Sequence, residues 1–234
     1  MQMKIMFFLP LFFFSAGFLL GQDKDITRIP PTEAIQDYLS QTKEYTALYN
    51  GKIVTPYDKV YTNHAYLVTD KYVSGTLCYN DVVYSDVNMR LDLFRDELSI
   101  MPPDKPFPVV LESRKLNYAL LSGVTVIANP TNTGQQYGIL IDDGICPVVK
   151  QFRVTVKEEY AGIELRWTFR FQEQYFVYIN GIASPVKNKN ALLKLFPDKR
   201  KELNDFAKQH KLNFRAQIEQ SIVALINHYE NPAQ

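Results

Sequence analysis

The chain has 234 residues, with 26 Lys and Arg against 25 Asp and Glu, a net charge of +1, and 13% aromatic residues. Near-neutral charge excludes a protein built mainly to hold polyanions, and two cysteines in this length exclude a disulfide-dense scaffold. The size suits one medium domain, or one domain with an appendage.

Met1 to Lys4 carries one positive charge. Residues 5–20, IMFFLPLFFFSAGFLL, are an apolar run that stops at Gly21-Gln22, before Asp23-Lys24-Asp25. This is the pattern of a secretory signal peptide over residues 1–22. The run is short for the roughly 20 residues of a bilayer span, and Pro10 interrupts it. No later segment is apolar enough to span, so the mature chain is expected to lack a transmembrane helix and to reach the periplasm, the cell surface or the medium.

Thr32 can cap a short helix over 32–41, with Ile35, Tyr38 and Leu39 at helical spacing. From Tyr45 the period changes. ALYNGKIV predicts a strand broken at Asn50-Gly51, and HAYLVTD predicts another. GTLCY (75–79) and VVYSD (82–86) flank Asn80-Asp81, two residues that tolerate positive φ and so suit a tight hairpin. VNMRLDLF follows. Val87, Met89, Leu91 and Leu93 alternate with Asn88, Arg90 and Asp92, as a half-buried strand requires. MPPDKPFP (101–108) is a loop, because proline cannot donate to a central ladder.

PVVLES, KLNYALL and VTVIAN read as short strands, the last two joined at Ser122-Gly123. NPTNTGQQ is a second loop. YGILI and ICPVVKQF flank Asp142-Asp143-Gly144. RVTVKEEY, IELRWTFRF and QYFVYI are three further strands, and Asn180-Gly181 is the strongest hairpin signal in the chain. From Ser184 the pattern is helical. ALLKLF ends at Pro197, Asp198 can cap the next helix, and Leu203, Phe206 and His210 share a face. Ile218, Ile222, Leu225, Ile226 and Tyr229 form an apolar stripe expected to pack on the sheet. The class is α+β: mainly antiparallel β, as a sandwich, barrel or curled sheet, with a C-terminal helical segment. The expected division is a β-rich domain over 23–183, with its short N-terminal helix, and helices over 184–234.

ALYNGK, NHAYL, the hairpin YNDVVYSDV, LDLFRDEL, then QYFVYINGIASPVKNKNALLKLFPDKRKELNDFAKQHKLNF and NHYEN follow a recurring order. In it the chain resembles small exported Bacteroidota proteins with a β-rich body and a Lys-rich helical tail. The resemblance implies compartment and architecture. It implies no activity and no site residue. Asn80-Asp81 departs from the Asp-Gly usual at that hairpin.

The acidic run Asp81, Asp86, Asp92, Asp96 and Glu97 invites a metal or hydrolytic reading. No glycine lies between Asp81 and Glu97, so an EF-hand loop is absent. Asp86 and Asp92 share a strand face but stand roughly 20 Å apart, too far for a glycosidase pair. With Arg90 between them they read as an outer face of balanced charge. His64, His210 and His228 have no ligand spacing, and no metal or cofactor is expected. No G-x-S-x-G, phosphate loop or dinucleotide fingerprint occurs. In RWTFRF, Arg166, Thr168 and Arg170 oppose Trp167, Phe169 and Phe171. The aromatics are expected in the core and the arginines wet or paired.

Cys78 and Cys146 are the one disulfide candidate, the alternative being two small buried hydrophobes. Residues 23–183 carry 16 Lys and Arg against 20 Asp and Glu, whereas 184–234 carry 9 against 5. Within this basic tail Lys199, Arg200 and Lys201 are the candidate binding patch, for lipid phosphates or the acidic β-part of the same molecule. Export argues against nucleic acid as partner. The reading that follows is an exported, non-enzymatic envelope or surface module that binds a partner or serves a structure. Two alternatives stay open: a hydrolase with a site assembled from distant strands, and a peripheral contact to anionic lipid through 187–201.

Overall fold

The computed structural model describes residues 48–128, 130 and 134–231. The expected signal peptide, the helix at 32–41 and part of the NPTNTGQQ loop lie outside the described residues.

Eleven strands form one antiparallel sheet: β1 (Lys52–Ile53), β2 (Val73–Tyr79), β3 (Val82–Asp92), β4 (Glu97–Ile100), β5 (Val109–Val110), β6 (Leu116–Leu121), β7 (Val124–Ala128), β8 (Tyr137–Asp142), β9 (Val148–Ala161), β10 (Glu164–Ile179) and β11 (Ile182–Val186). Their order in the sheet is β1-β5-β4-β3-β2-β6-β7-β8-β9-β10-β11. The α+β class and its antiparallel character hold. The strands make one sheet instead of two packed sheets, and β1 and β11 at its edges do not pair into a closed barrel.

Three helices follow: α1 (Lys189–Leu195), α2 (Arg200–Gln209) and α3 (Ile218–Glu230). The expected boundary at 183/184 falls inside β11, because Ile182–Val186 completes a hairpin with Tyr175–Ile179 before the chain turns helical.

The turn chemistry worked as read. Asn80 and Asp81 both have positive φ, as do Ser122-Gly123 and Asn180-Gly181. These are the left-handed pairs that match the twist of the flanking strands. Five strand expectations need correction. VVYSD and VNMRLD are one strand, β3, with a bulge at Asp86, where φ is 56°. Between the pairs Leu77↔Tyr84 and Gly75↔Val87, β3 has one more residue than β2. The extra residue switches the alternation, so Tyr84 shares the buried face with Val87, Met89 and Leu91. Likewise RVTVKEEY continues β9, and IELRWTFRF and QYFVYI merge into β10.

The segment HAYLVTD makes one antiparallel bridge, Tyr66↔Asp92, and then stops at Val68, whose φ of 64° ends extended geometry. PVVLES contributes only Val109–Val110.

One face of the sheet carries the core. Leu77, Met89, Leu91, Leu98, Ile100 and Leu121 on β2, β3, β4 and β6 are almost fully buried, each worth about 2 kcal/mol of transfer free energy. Ile141 on β8 packs against this cluster and against a second one. The second cluster joins Val148, Tyr175, Val177 and Val186 of β9 to β11 with Leu192, Leu203, Ile222, Leu225 and Ile226 of the helices. The helical stripe therefore packs on the sheet as expected.

Local capping sets the helix ends. Asn188 Oδ1 accepts the Ala191 amide at 2.9 Å to start α1. The cap position of α2 is Lys199, without a side-chain cap bond, in place of the expected Asp198. Lys211, at positive φ, closes α2 with the Leu212 amide on the Ala207 carbonyl.

Candidate functional site

The sheet register places Ile139, Lys150, Tyr175 and Val186 in one cross-strand row on the core face. Lys150 is thus a cation in an apolar row, its side chain only 16% exposed. Glu219, on the first turn of α3, meets its ammonium at 2.6 Å, and Glu173 of β10 lies 3.9 Å away. The Tyr175 hydroxyl donates to Glu173 at 2.6 Å and reaches Glu219 at 3.2 Å. Two carboxylates therefore converge on one phenol, their oxygens no more than about 6 Å apart.

Burial, reinforced by both carboxylates, holds the Tyr175 phenol well above its ordinary range, so it stays a donor. A cleft of about 450 Å³, lined in part by Glu173, Tyr175, Phe176, Lys187 and Ile218, opens beside this junction. Sequence reasoning missed these four residues. The available signal was Lys150 itself, a lone charge between Val148 and Phe152 on the face those residues bury.

A second polar cluster lies where the acidic run was expected to face water. Asp92 is 5% exposed, which corrects the reading of it as a wet outer residue. Residues 57–66 cover it. Its carboxylate accepts the Tyr57 hydroxyl at 2.7 Å and the amides of Phe94 and Arg95 at 3.0 Å each. Arg95 stacks on Tyr57 and bonds the carbonyls of Thr55 and Pro56. Arg90 lies between the rings of Tyr66 and Tyr72 and donates to the Asp70 carbonyl at 2.6 Å. Each charged group is thus tied to the covering segment, an arrangement that fastens a loop.

The remaining carboxylates are scattered. Asp81 accepts a bond from Asn117 of β6 at 3.0 Å, Asp86 is exposed at the bulge and Glu97 pairs with Lys52. Asp96 accepts the amides of Gln136 and Tyr137, and burial raises its pKa. Leu93, expected on the core face, is half-buried beyond the end of β3.

The third feature is an arm. β8 pairs with β9 only as far as Lys150, and β11 pairs with β10 only from Tyr175. Residues 153–161 and 164–173 run on as a two-stranded ribbon about 30 Å long. Asn63 clasps it near the middle. Its side chain donates to the Phe169 carbonyl at 3.0 Å and accepts the Phe169 amide at 2.8 Å. Tyr61 stacks on Phe169, whose ring also meets Tyr57 and Phe94. Phe169 is in the core as expected, Phe171 is exposed, and Trp167 bonds Glu158. Arg166 and Arg170 are paired, with Glu164 and Glu159. Beyond the clasp the tip exposes Tyr160 (77%) and Ile163 (100%).

The candidate basic patch is divided. Lys199 lies over the Tyr229 ring, while Arg200 and Lys201 are exposed on the first turn of α2. Cys78 and Cys146 are both buried free thiols. Cys78 is on β2 and Cys146 precedes β9, with β6, β7 and β8 between them in the sheet, which argues against the short Cα separation a bridge needs. His228 stacks on Phe206, against which the His210 ring also packs at a tilt, and His228 meets Glu202 at 3.5 Å. Among the described residues no group of three or more His, Cys, Asp or Glu gathers as a metal site, and no helix is long and apolar enough to cross a membrane. No protein-family model, curated protein or solved structure matches the chain.

Proposed function

We propose that this chain is an exported, non-enzymatic binding or structural module of the cell envelope or cell surface, and that its β9–β10 arm makes the contact. One observation carries the reading. The arm extends past every neighbouring strand and ends in the exposed apolar pair Tyr160 and Ile163. Isolated two-stranded ribbons are marginal in water, and this one is clasped at Asn63 so that its end stands clear. The leader at residues 1–22 and the resemblance to exported Bacteroidota proteins support the compartment. The test is saturable binding of the purified mature chain to Bacteroidota envelope fractions. Tyr160→Ser with Ile163→Ser, both at exposed positions, is expected to weaken binding at least tenfold. Binding unchanged by the tip variant would refute the arm as the contact.

The hydrolase reading has one specific support, the convergence of Glu173 and Glu219 on Tyr175 beside a cleft. Chromogenic glycoside and ester substrates test it. Turnover lost in both Glu173→Gln and Glu219→Gln would favour it over the binding reading. A peripheral contact to anionic lipid rests on the exposure of Arg200 and Lys201.

A further inference from the structure

The arm has a free side. Antiparallel neighbours in a two-residue hairpin alternate between residues that face their partner strand and residues that face away. Ala161 and Glu164 flank the Gly162-Ile163 turn and pair directly, so the odd-numbered residues of β9 exchange backbone bonds with β10. The even-numbered residues direct their amides and carbonyls to the outer edge. Phe152 demonstrates this polarity, since its carbonyl accepts Gln135 Nε2 from outside the hairpin. Beyond that bond, β9 has no strand neighbour on this side among the described residues.

The residues of this edge are complementary to themselves. Two copies of β9 related by a two-fold axis normal to the sheet pair residues of equal parity. A register centred on Val156 sets Arg153 opposite Glu159 twice, Phe152 opposite Tyr160 twice, and Val156 opposite its own copy. Val154 then faces Glu158, and Thr155 faces Lys157. Moving the centre to Thr155 puts Arg153 against Lys157 twice. Moving it to Lys157 sets that lysine against itself. Like charges directly opposite one another destabilise a pair of strands. Of these three central registers, the one on Val156 alone is therefore electrostatically favourable. The Arg153–Glu159 pairs fall at non-hydrogen-bonded sites, where side chains stand closest.

We infer that the free edge of β9 is a homodimer interface, pairing two copies antiparallel about Val156. About six backbone hydrogen bonds between Val154 and Glu158 of the two copies would join the arms. A chance partner has no need of this symmetry in the edge, whereas a second copy does. The inference goes beyond the envelope-binding reading and does not depend on it: the dimer forms in purified protein, without envelope, and of the two tip residues Ile163 lies outside the paired span.

Sedimentation equilibrium of the purified mature chain tests the state, and variants test the register. The wild type is expected to be dimeric at micromolar concentration. Arg153→Glu and Glu159→Arg are each expected to weaken the dimer at least tenfold, and the double exchange to restore it. Glu159 also pairs with Lys157 and Arg170 inside the chain, so Val156→Pro serves as an independent variant. It removes the central donor at an edge where proline is tolerated and should give a folded monomer. Val156→Cys should cross-link to itself on oxidation, because facing α-carbons in a hydrogen-bonded pair stand about 5.5 Å apart, within disulfide range. Val154→Cys should not. A monomeric wild type, a dimer indifferent to both charge reversals and Val156→Pro, or cross-linking at 154 instead of 156 would overturn the inference.

Discussion

Replacing Asp92 by alanine separates a structural carboxylate from a catalytic one. Asp92 accepts three hydrogen bonds. The bond from Tyr57 is to a charged acceptor and is worth about 2 kcal/mol. The amides of Phe94 and Arg95 sit near the surface, where water can replace the lost partner, so each contributes about 1 kcal/mol. The total for Asp92→Ala is about 4 kcal/mol. Tyr57→Phe should cost about 2 kcal/mol, and the double variant about 4, leaving a coupling near 2 kcal/mol.

Urea denaturation measures all three, and hydrogen exchange should show faster opening across residues 57–66 in each. Catalytic groups behave oppositely, since strained or uncompensated charges cost stability and their removal often raises it. If Asp92→Ala left stability unchanged or higher, the loop-fastening account would be wrong and the carboxylate would need a chemical role.

Burial, the largest cause in each case, raises the phenol pKa of Tyr57, Tyr137 and Tyr175 above the ordinary 10.0. A raised folded pKa gives stability that is present below pH 10 and lost as pH rises further. Phenolate absorbance should therefore lag behind that of free tyrosine and rise together with unfolding. Val68 holds a β-branched side chain at a φ of 64°, and Val68→Asn should stabilise the fold by about 1 kcal/mol in thermal melts. A lower melting temperature would disprove the strain. Lys150→Ala leaves Glu173 and Glu219 facing each other and should cost about 1–2 kcal/mol by urea denaturation, with part regained when Glu219→Ala is added. For the lipid reading, co-sedimentation with anionic liposomes should fall on raising salt and on Arg200→Glu with Lys201→Glu; binding indifferent to both excludes that patch.

How much was legible depended on range. Hairpins announced themselves because Asn80-Asp81, Ser122-Gly123 and Asn180-Gly181 need conformations that few other residues accept. The helical stripe from Ile218 to Tyr229 was readable because its period is set within one segment. The length of β9 and β10 was not. RVTVKEEY alternates on its own account, but whether it continues ICPVVKQF depends on having a partner along its whole length. The bulge at Asp86 was hidden for the same reason, since it exists only relative to β2.

The burial of Asp92 was misread because alternation reports which side of a strand a residue takes, and says nothing of what lies over that side. A loop that makes one bridge and stops at Val68 carries little periodicity, yet it covers that face. The junction of Lys150, Glu173, Tyr175 and Glu219 draws on β9, β10 and α3, and no spacing along the chain could have brought it together.

By itself the sequence determined the class, the turns, the helical tail with its apolar stripe and the burial of Val87, Met89 and Leu91, because local backbone preference and hydrophobic period act over a few residues. The tertiary structure alone decided that the strands form one sheet, that an arm runs free of it, and which charges meet. Those outcomes depend on pairings across tens of residues, where contact is set by sheet order and register and not by neighbourhood in the chain.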